Sequence, residues 1–336
     1  MQTITHETKN IHHIFDDIET AYMITSETSC NHSLFATVFD DSFKKLFDIF
    51  KEQSDVKYFC EYRNKRFTTL NYSVEDDKTI IICISGGKDS LATILHYKDL
   101  GYKIYLYHLK GINLTYKDEY KAVEQIAEIL DLPLITEEVQ LKGKQEWIEH
   151  PMKNMIIASM ALQYGIRNNL TTNIAFGNFS TSSLATDPFE VCGGDCKEMW
   201  EVYEQMIQRV LPNFKIQTPL SNFQDTIDAL LEHSEYLEYT QSCIGPYRYR
   251  EYLKSNNEKK YSIKLPQHRC GSCWKCCLEY CVFCDNGIYE YNAEYYEHCM
   301  RILQKTLYKE TGIKYNKEET WQHYFFYDRS KSKWAV

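Results

Sequence analysis

Six consecutive residues, Ser85-Gly86-Gly87-Lys88-Asp89-Ser90, combine two hydroxyls, two glycines, a cation and a carboxylate. They sit between the β-branched run Thr79 to Ile84 and the apolar periodic stretch Leu91 to Leu100, so the spacing predicts a turn from strand to helix. Glycines there let backbone N–H groups approach a phosphate closely, and the N-terminus of the following helix favours negative charge. Ser85 and Ser90 can donate to phosphate oxygens, Lys88 can neutralise them, and Asp89 can hold magnesium or a magnesium-bound water. The spacing matches neither Gly-x-x-x-x-Gly-Lys-Ser/Thr nor Gly-x-Gly-x-x-Gly.

A second group is built for a metal. Cys270, Cys273 and Cys276 recur at two-residue gaps, which lets one tight turn aim three thiols at a tetrahedral ion. Cys243, after a helix predicted over Phe223 to Glu232, is the best fourth ligand. Four thiolates with no open position describe structural zinc. An iron–sulfur cluster uses the same donors, and the spacing leaves both open. Cys277, Cys281, Cys284 and Cys299 follow; they are read as buried thiols on a helix, with a second metal site as the alternative.

The elements that must position these groups follow from periodicity. From Lys78 the pattern alternates strand, loop and helix. Thr79 to Ile84, Lys103 to Leu109, Leu134 to Leu141 and Asn173 to Phe176 read as strands; Leu91 to Leu100, Glu119 to Leu130 and Met152 to Tyr164 read as helices. The expected fold is α/β, a doubly wound parallel sheet with the turn at the carboxyl end of its first strand. Residues 1–77 read as a small α+β extension. In it Asp41-Ser42 caps a helix bearing Phe43, Leu46, Phe47 and Phe50, Val56 to Tyr62 alternates as a strand, and Arg63-Asn64-Lys65 turns into another. The expected organisation is then the phosphate-binding domain over 78–242, the cysteine region over 243–284 and a helical extension over 285–336.

With both groups in place, the loop resembles the Ser-Gly-Gly-x-Asp-Ser motif of the PP-loop ATP pyrophosphatases, which share a Rossmann-like, HUP-type domain and cleave ATP to AMP and pyrophosphate. Over roughly Thr79 to Tyr280 the chain is most similar to the 7-cyano-7-deazaguanine synthase family. Lys153-Asn154 resembles that family's Arg-Asn, Gly177-Asn178 its Gly-Val-Asn, and Gly194-Asp195-Cys196-Lys197 its Pro-Asp-Cys-Arg; Thr218-Pro219-Leu220 and Ser242-Cys243 follow in order. The resemblance implies ATP, Mg2+ and Zn2+ as cofactors, with Ser85, Lys88, Asp89 and Ser90 catalytic and Gly86, Gly87 and Gly177 also against the nucleotide. It implies a deazapurine substrate beside Asn154, Asn178 and Asp195, ammonia as second substrate, and zinc on Cys243, Cys270, Cys273 and Cys276. Such enzymes adenylate a carboxylate, let ammonia displace AMP to give an amide, and adenylate again to give a nitrile, as in queuosine biosynthesis. The chain departs from the family in four places. Lys110 to Thr115 lacks its Gly-Gln-Arg/Lys-His pattern, Lys88 is commoner in transfer RNA-modifying PP-loop enzymes, 245–267 reads as an insertion, and the two extensions have no counterpart.

Composition narrows the classes. The 336 residues are 43% hydrophobic and 25% charged, as in an ordinary globular protein with an ample core. Thirteen cysteines with no export signal favour reduced, metal-binding thiols and a cytoplasmic location, and no apolar run is long enough for a membrane span. A net charge of −9 disfavours nucleic acid as the main partner. Transfer RNA thiolation and a non-catalytic ATP and zinc module remain as alternatives. No role is assigned to His150, His268 or His298, and oligomeric state is left open.

Overall fold

The computed structural model describes residues 78–110, 119–139, 153–177, 197–208, 211–220, 223–243 and 249–320, together with four strands nearer the N-terminus. Those four are β1 (Ile4–Thr8), β2 (Tyr22–Ser26), β3 (Ser33–Ala36) and β4 (Tyr58–Glu61). β2 pairs antiparallel with β3 and with β4, so Ile24 stands opposite both Leu34 and Cys60. The expected helix over 43–50 and the turn at 63–65 lie outside the described residues.

The main sheet grows from β5 (Thr79–Cys83), whose five residues are all buried. A strand covered on both faces needs an apolar, β-branched run, and Thr-Ile-Ile-Ile-Cys supplies one. β6 (Lys103–Lys110) and β8 (Ile174–Phe176) flank it in parallel, setting Ile82 beside Leu106 on one side and Ala175 on the other. β7 (Leu134–Val139) lies beyond β6, β9 (Ile216–Gln217) beyond β8, and β1 completes the six-stranded parallel sheet beside β7. The chain therefore walks outward from β5 through β6 to β7 and then returns to β5's other side. The carboxyl ends of β5 and β8 flank that reversal, the position at which open α/β sheets bind ligands.

Helices fill the crossovers. α1 (Lys88–Asp99) and α2 (Glu119–Ile129) bury Leu91, Ile94, Leu95, Val123 and Ile126 against Ile80, Ile82 and Leu106. α3 (Lys153–Arg167) packs on β5 and β6, where Tyr107 meets Tyr164 with ring centroids 6.3 Å apart. α1 starts at Lys88, three residues before the expected Leu91, because Gly87 takes the extended cap conformation and Asp89 in the first turn suits the helix dipole.

α4 (Lys197–Ile207) leads into β9, and α5 (Phe223–Leu231) packs on α1. α6 (Arg250–Tyr261), α7 (Trp274–Asp285) and α8 (Ala293–Thr311) complete the C-terminal region, with α7 against α8. Cys277, Cys281, Cys284 and Cys299 are buried there in an apolar core with Tyr295, Met300 and Leu303. No helix among the described residues is long and apolar enough to cross a membrane.

Candidate functional site: a glycine-rich turn beside a four-thiol centre

The loop turns immediately off the central strand. Gly86 has φ +75°, a left-handed conformation that disfavours any side chain, and a Cβ there would also stand 3.0 Å from that of Ala122 on α2. Gly87 is extended (φ −82°, ψ 167°) and its carbonyl accepts the Leu91 N–H at 3.1 Å, opening α1. Gly87, having no side chain, makes no side-chain cap bond to the first N–H groups of this helix. Ser85 Oγ and Ser90 Oγ are 3.1 Å apart, and the Ser85 N–H donates to Ser90 Oγ at 3.3 Å.

The charged pair lies in the same turn. Lys88 Nζ donates to Asp89 Oδ2 at 2.7 Å, and Thr226 Oγ1 of α5 donates to Asp89 Oδ1 at 3.2 Å. Asp89 is thus held from two sides, by Lys88 of its own turn and by Thr226 of α5. Gly177, directly after β8, lies against the same turn: a Cβ there would be 2.5 Å from the Asp89 carbonyl carbon and oxygen. Asn154 occupies the first turn of α3. Asn178 and Asp195 lie outside the described residues.

His108, on β6, supports the loop from below. Its Nδ1 lies 3.0 Å from the carbonyl oxygen of Ile84, the residue before Ser85. Burial lowers its pKa to about 4 against the opposing pull of that bond, so at neutral pH the ring is uncharged and Nδ1–H donates. Between pH 6.5 and 4 the unfolded chain takes up a proton that the folded ring refuses. Stability therefore falls as acid is added, by up to roughly 3 kcal/mol. Urea midpoints between pH 4.5 and 7 should show a shallower acid slope for His108→Gln than for the native chain; equal slopes would exclude this role.

The second centre is a closed cage of sulfur. The Sγ atoms of Cys243, Cys270, Cys273 and Cys276 all lie within 4.8 Å of one another, with Cys243 to Cys273 and Cys270 to Cys276 both 3.9 Å. A tetrahedral zinc with bonds near 2.3 Å sets its sulfurs about 3.8 Å apart, so the donor set fits one such ion. Sulfurs this close leave no room for the bridging sulfides of a multi-iron cluster. Backbone N–H groups of Ser272 and Cys273 point at Cys270 Sγ at 3.3 and 3.2 Å, and that of Cys276 at Cys273 Sγ at 3.5 Å, the donors a thiolate needs. The hydrogen bond shared with Cys243 pushes the Cys270 pKa up, but those from Cys273 and Cys276 win and bring it to about 7. Cys273 and Cys276 are held up, first by their hydrogen bonds with Cys243, so a cation must displace protons on entry. Among the described residues no other group of three metal-ligating side chains comes this close together.

The two centres touch through the segment that joins them. The Gln241 N–H donates to the Gly86 carbonyl at 2.7 Å, and a Cβ on Gly87 would lie 3.8 Å from Ser242 Oγ. Thr240, one residue earlier, is gripped by Arg269, whose Nη2 donates to Thr240 Oγ1 at 2.7 Å and whose Nη1 donates to Thr240 O. Arg269 is itself buried and bonded through Nε to Glu279 Oε1 at 2.9 Å. Thr226, Gln241 and His108 were not foreseen from sequence; each acts through a fold contact, and only Ser242 adjoined a recognisable motif.

No protein-family model matches the chain, and neither does any curated protein. Among solved structures it is similar to one described as the crystal structure of a predicted subunit of tRNA methyltransferase from Methanocaldococcus jannaschii DSM. The two are 17% identical over 56% of this chain and 93% of that one, with a TM-score of 0.28. An overlay that loose tells nothing about function, which has to come from the loop and the thiol centre.

Proposed function

We propose that the protein is a PP-loop ATP pyrophosphatase on a doubly wound, Rossmann-like sheet, and that it activates a carboxylate by transferring AMP to it. The observation that carries this reading is the placement of Ser85 to Ser90: a left-handed Gly86, paired hydroxyls and a glycine-capped helix N-terminus at the reversal of a parallel sheet. The loop's N–H groups and hydroxyls hold the phosphates, and Lys88 leaves Asp89 to meet their negative charge. Asp89, steadied by Thr226, would hold magnesium, which when bound neutralises the departing pyrophosphate.

A carboxylate is a poor electrophile, and making AMP its leaving group removes that barrier. The substrate carboxylate oxygen bonds to the α-phosphorus as pyrophosphate leaves. Ammonia then bonds to the acyl carbon, and AMP and a proton depart, giving the amide. A second adenylation, on the amide oxygen, lets loss of AMP and a proton yield the nitrile. The acceptor that fits the resemblance is 7-carboxy-7-deazaguanine or a related deazapurine acid. Zinc on the four thiols serves structure here, since the cage has no open position.

The test is mass spectrometry of products after incubation with ATP, magnesium, ammonium and 7-carboxy-7-deazaguanine. The expected result is amide or nitrile with AMP, lost by about 100-fold or more in Ser85→Ala/Asp89→Ala. AMP without that product would keep the pyrophosphatase reading and reject this acceptor. ATP bound but never cleaved with any acid would reject the enzyme and leave a binding module.

A further inference from the structure

Residues 240–243 run against Gly86 and Gly87 of the phosphate loop and are anchored at both ends by one C-terminal segment. Arg269 holds Thr240, and the thiol centre formed with Cys270, Cys273 and Cys276 holds Cys243. Only Gln241 and Ser242 lie between the anchors, and both face the loop. The Gln241 N–H fixes the Gly86 carbonyl at 2.7 Å. Around the position a Gly87 Cβ would take, Ser85 Oγ is at 3.5 Å, Gln241 O at 3.7 Å and Ser242 Oγ at 3.8 Å. The Ser242 and Ser85 hydroxyls therefore both lie within 4 Å of the side-chain position of Gly87, the residue that caps α1.

We propose that Ser242 is a phosphate-binding residue of the nucleotide site, and that the metal centre positions it, so metal and nucleotide each tighten the binding of the other. The proposal rests on the reading of Ser85 to Ser90 as a nucleotide loop. Its physical basis is that a short strap tied down next to Ser242 has little freedom left. An ion on Cys243 fixes where the hydroxyl points, and a phosphate held by that hydroxyl resists the strap's withdrawal. Coupling of this kind is reciprocal by thermodynamic necessity.

The experiment uses the full, zinc-loaded chain and a non-hydrolysable ATP analogue with magnesium. Calorimetric titration should show Ser242→Ala binding the analogue about 10-fold or more weakly, the loss expected for one hydrogen bond to a charged group. Ser242→Thr, which keeps the hydroxyl, should restore most of it. Adenosine, which has no phosphates, should bind native chain and Ser242→Ala equally, an outcome that a general loosening of the site does not produce. In the native chain the analogue should slow zinc transfer to a chromogenic chelator about 5-fold or more, and Ser242→Ala should shrink that protection.

Equal analogue affinity in Ser242→Ala, or equal weakening toward adenosine, would overturn the role of Ser242. Zinc release indifferent to the analogue would overturn the coupling. If the native chain binds no analogue at all, the nucleotide reading itself falls, an outcome distinct from either.

Discussion

Serine in place of Cys276 is expected to strip the chain of its metal and unfold the region around α6 and α7. Structural zinc in a four-thiolate cage contributes an apparent 10–16 kcal/mol, roughly, at neutral pH in small domains, so its loss outweighs the stability of most folds. Cys276 is the right ligand to remove because it sits in the first turn of α7, where Cys273 accepts its N–H and starts the helix. Metal content should fall from one zinc per chain toward zero, and the fluorescence of nearby Trp274 should shift toward that of exposed indole. Cys281→Ala is the contrast: it empties a buried thiol site in the apolar core, costs about 1–2 kcal/mol, and keeps the zinc. A Cys276→Ser protein that retains one zinc and melts like the native chain would sink the assignment of the cage.

Alanine at Gly177 is the second change with a large expected effect. The new methyl would lie 2.5 Å from backbone atoms of Asp89 and 2.6 Å from the Ser90 nitrogen, and backbone on that side cannot swing away as a side chain can. Either β8 or the start of α1 must move, and moving α1 displaces Lys88, Asp89 and Ser90 together. The cost is about 1–3 kcal/mol or more in stability, with nucleotide affinity reduced at least about 10-fold. Gly101→Ala offers a control, because that glycine has φ +72° but open space around it. It should cost about 1 kcal/mol through backbone strain alone and leave nucleotide affinity unchanged. Equal binding by Gly177→Ala and the native chain, measured by calorimetry, would show that β8 does not brace the loop.

Much of the sheet and its first three helices was legible because each element announces its own physics. Ile80 to Ile84 is a buried β-branched run, Gly101 ends one helix, and Pro133 precedes the next strand. Three of the four thiols, Cys270, Cys273 and Cys276, were legible for a similar reason, since two-residue gaps form a turn whatever surrounds them. β1 was not read, because Ile-Thr-His-Glu-Thr has one apolar residue and becomes a strand only by pairing with β7. α4 was readable and missed: Trp200, Tyr203 and Ile207 recur at helical spacing and are all buried. α6 was not, since the residues it buries, Arg250, Asn257 and Tyr261, are mostly polar and find their partners across the fold. Asn257 donates to the Cys270 carbonyl at 3.0 Å, so the stretch read as an insertion braces the thiol centre. Thr226 carries no motif, and its place beside Asp89 follows from how α5 packs on α1.

The strap across the phosphate loop also sets an order of events during synthesis. The loop is complete once Ser90 has been made, yet the residues that close over it need Cys276, 186 positions later (276 minus 90), to be held in place. At translation rates of about 5–20 residues per second that gap lasts roughly 10–40 s. On the reading proposed above, the nascent chain spends that interval with residues 85–90 already made and Cys276, the last of the four cage thiols, still to come.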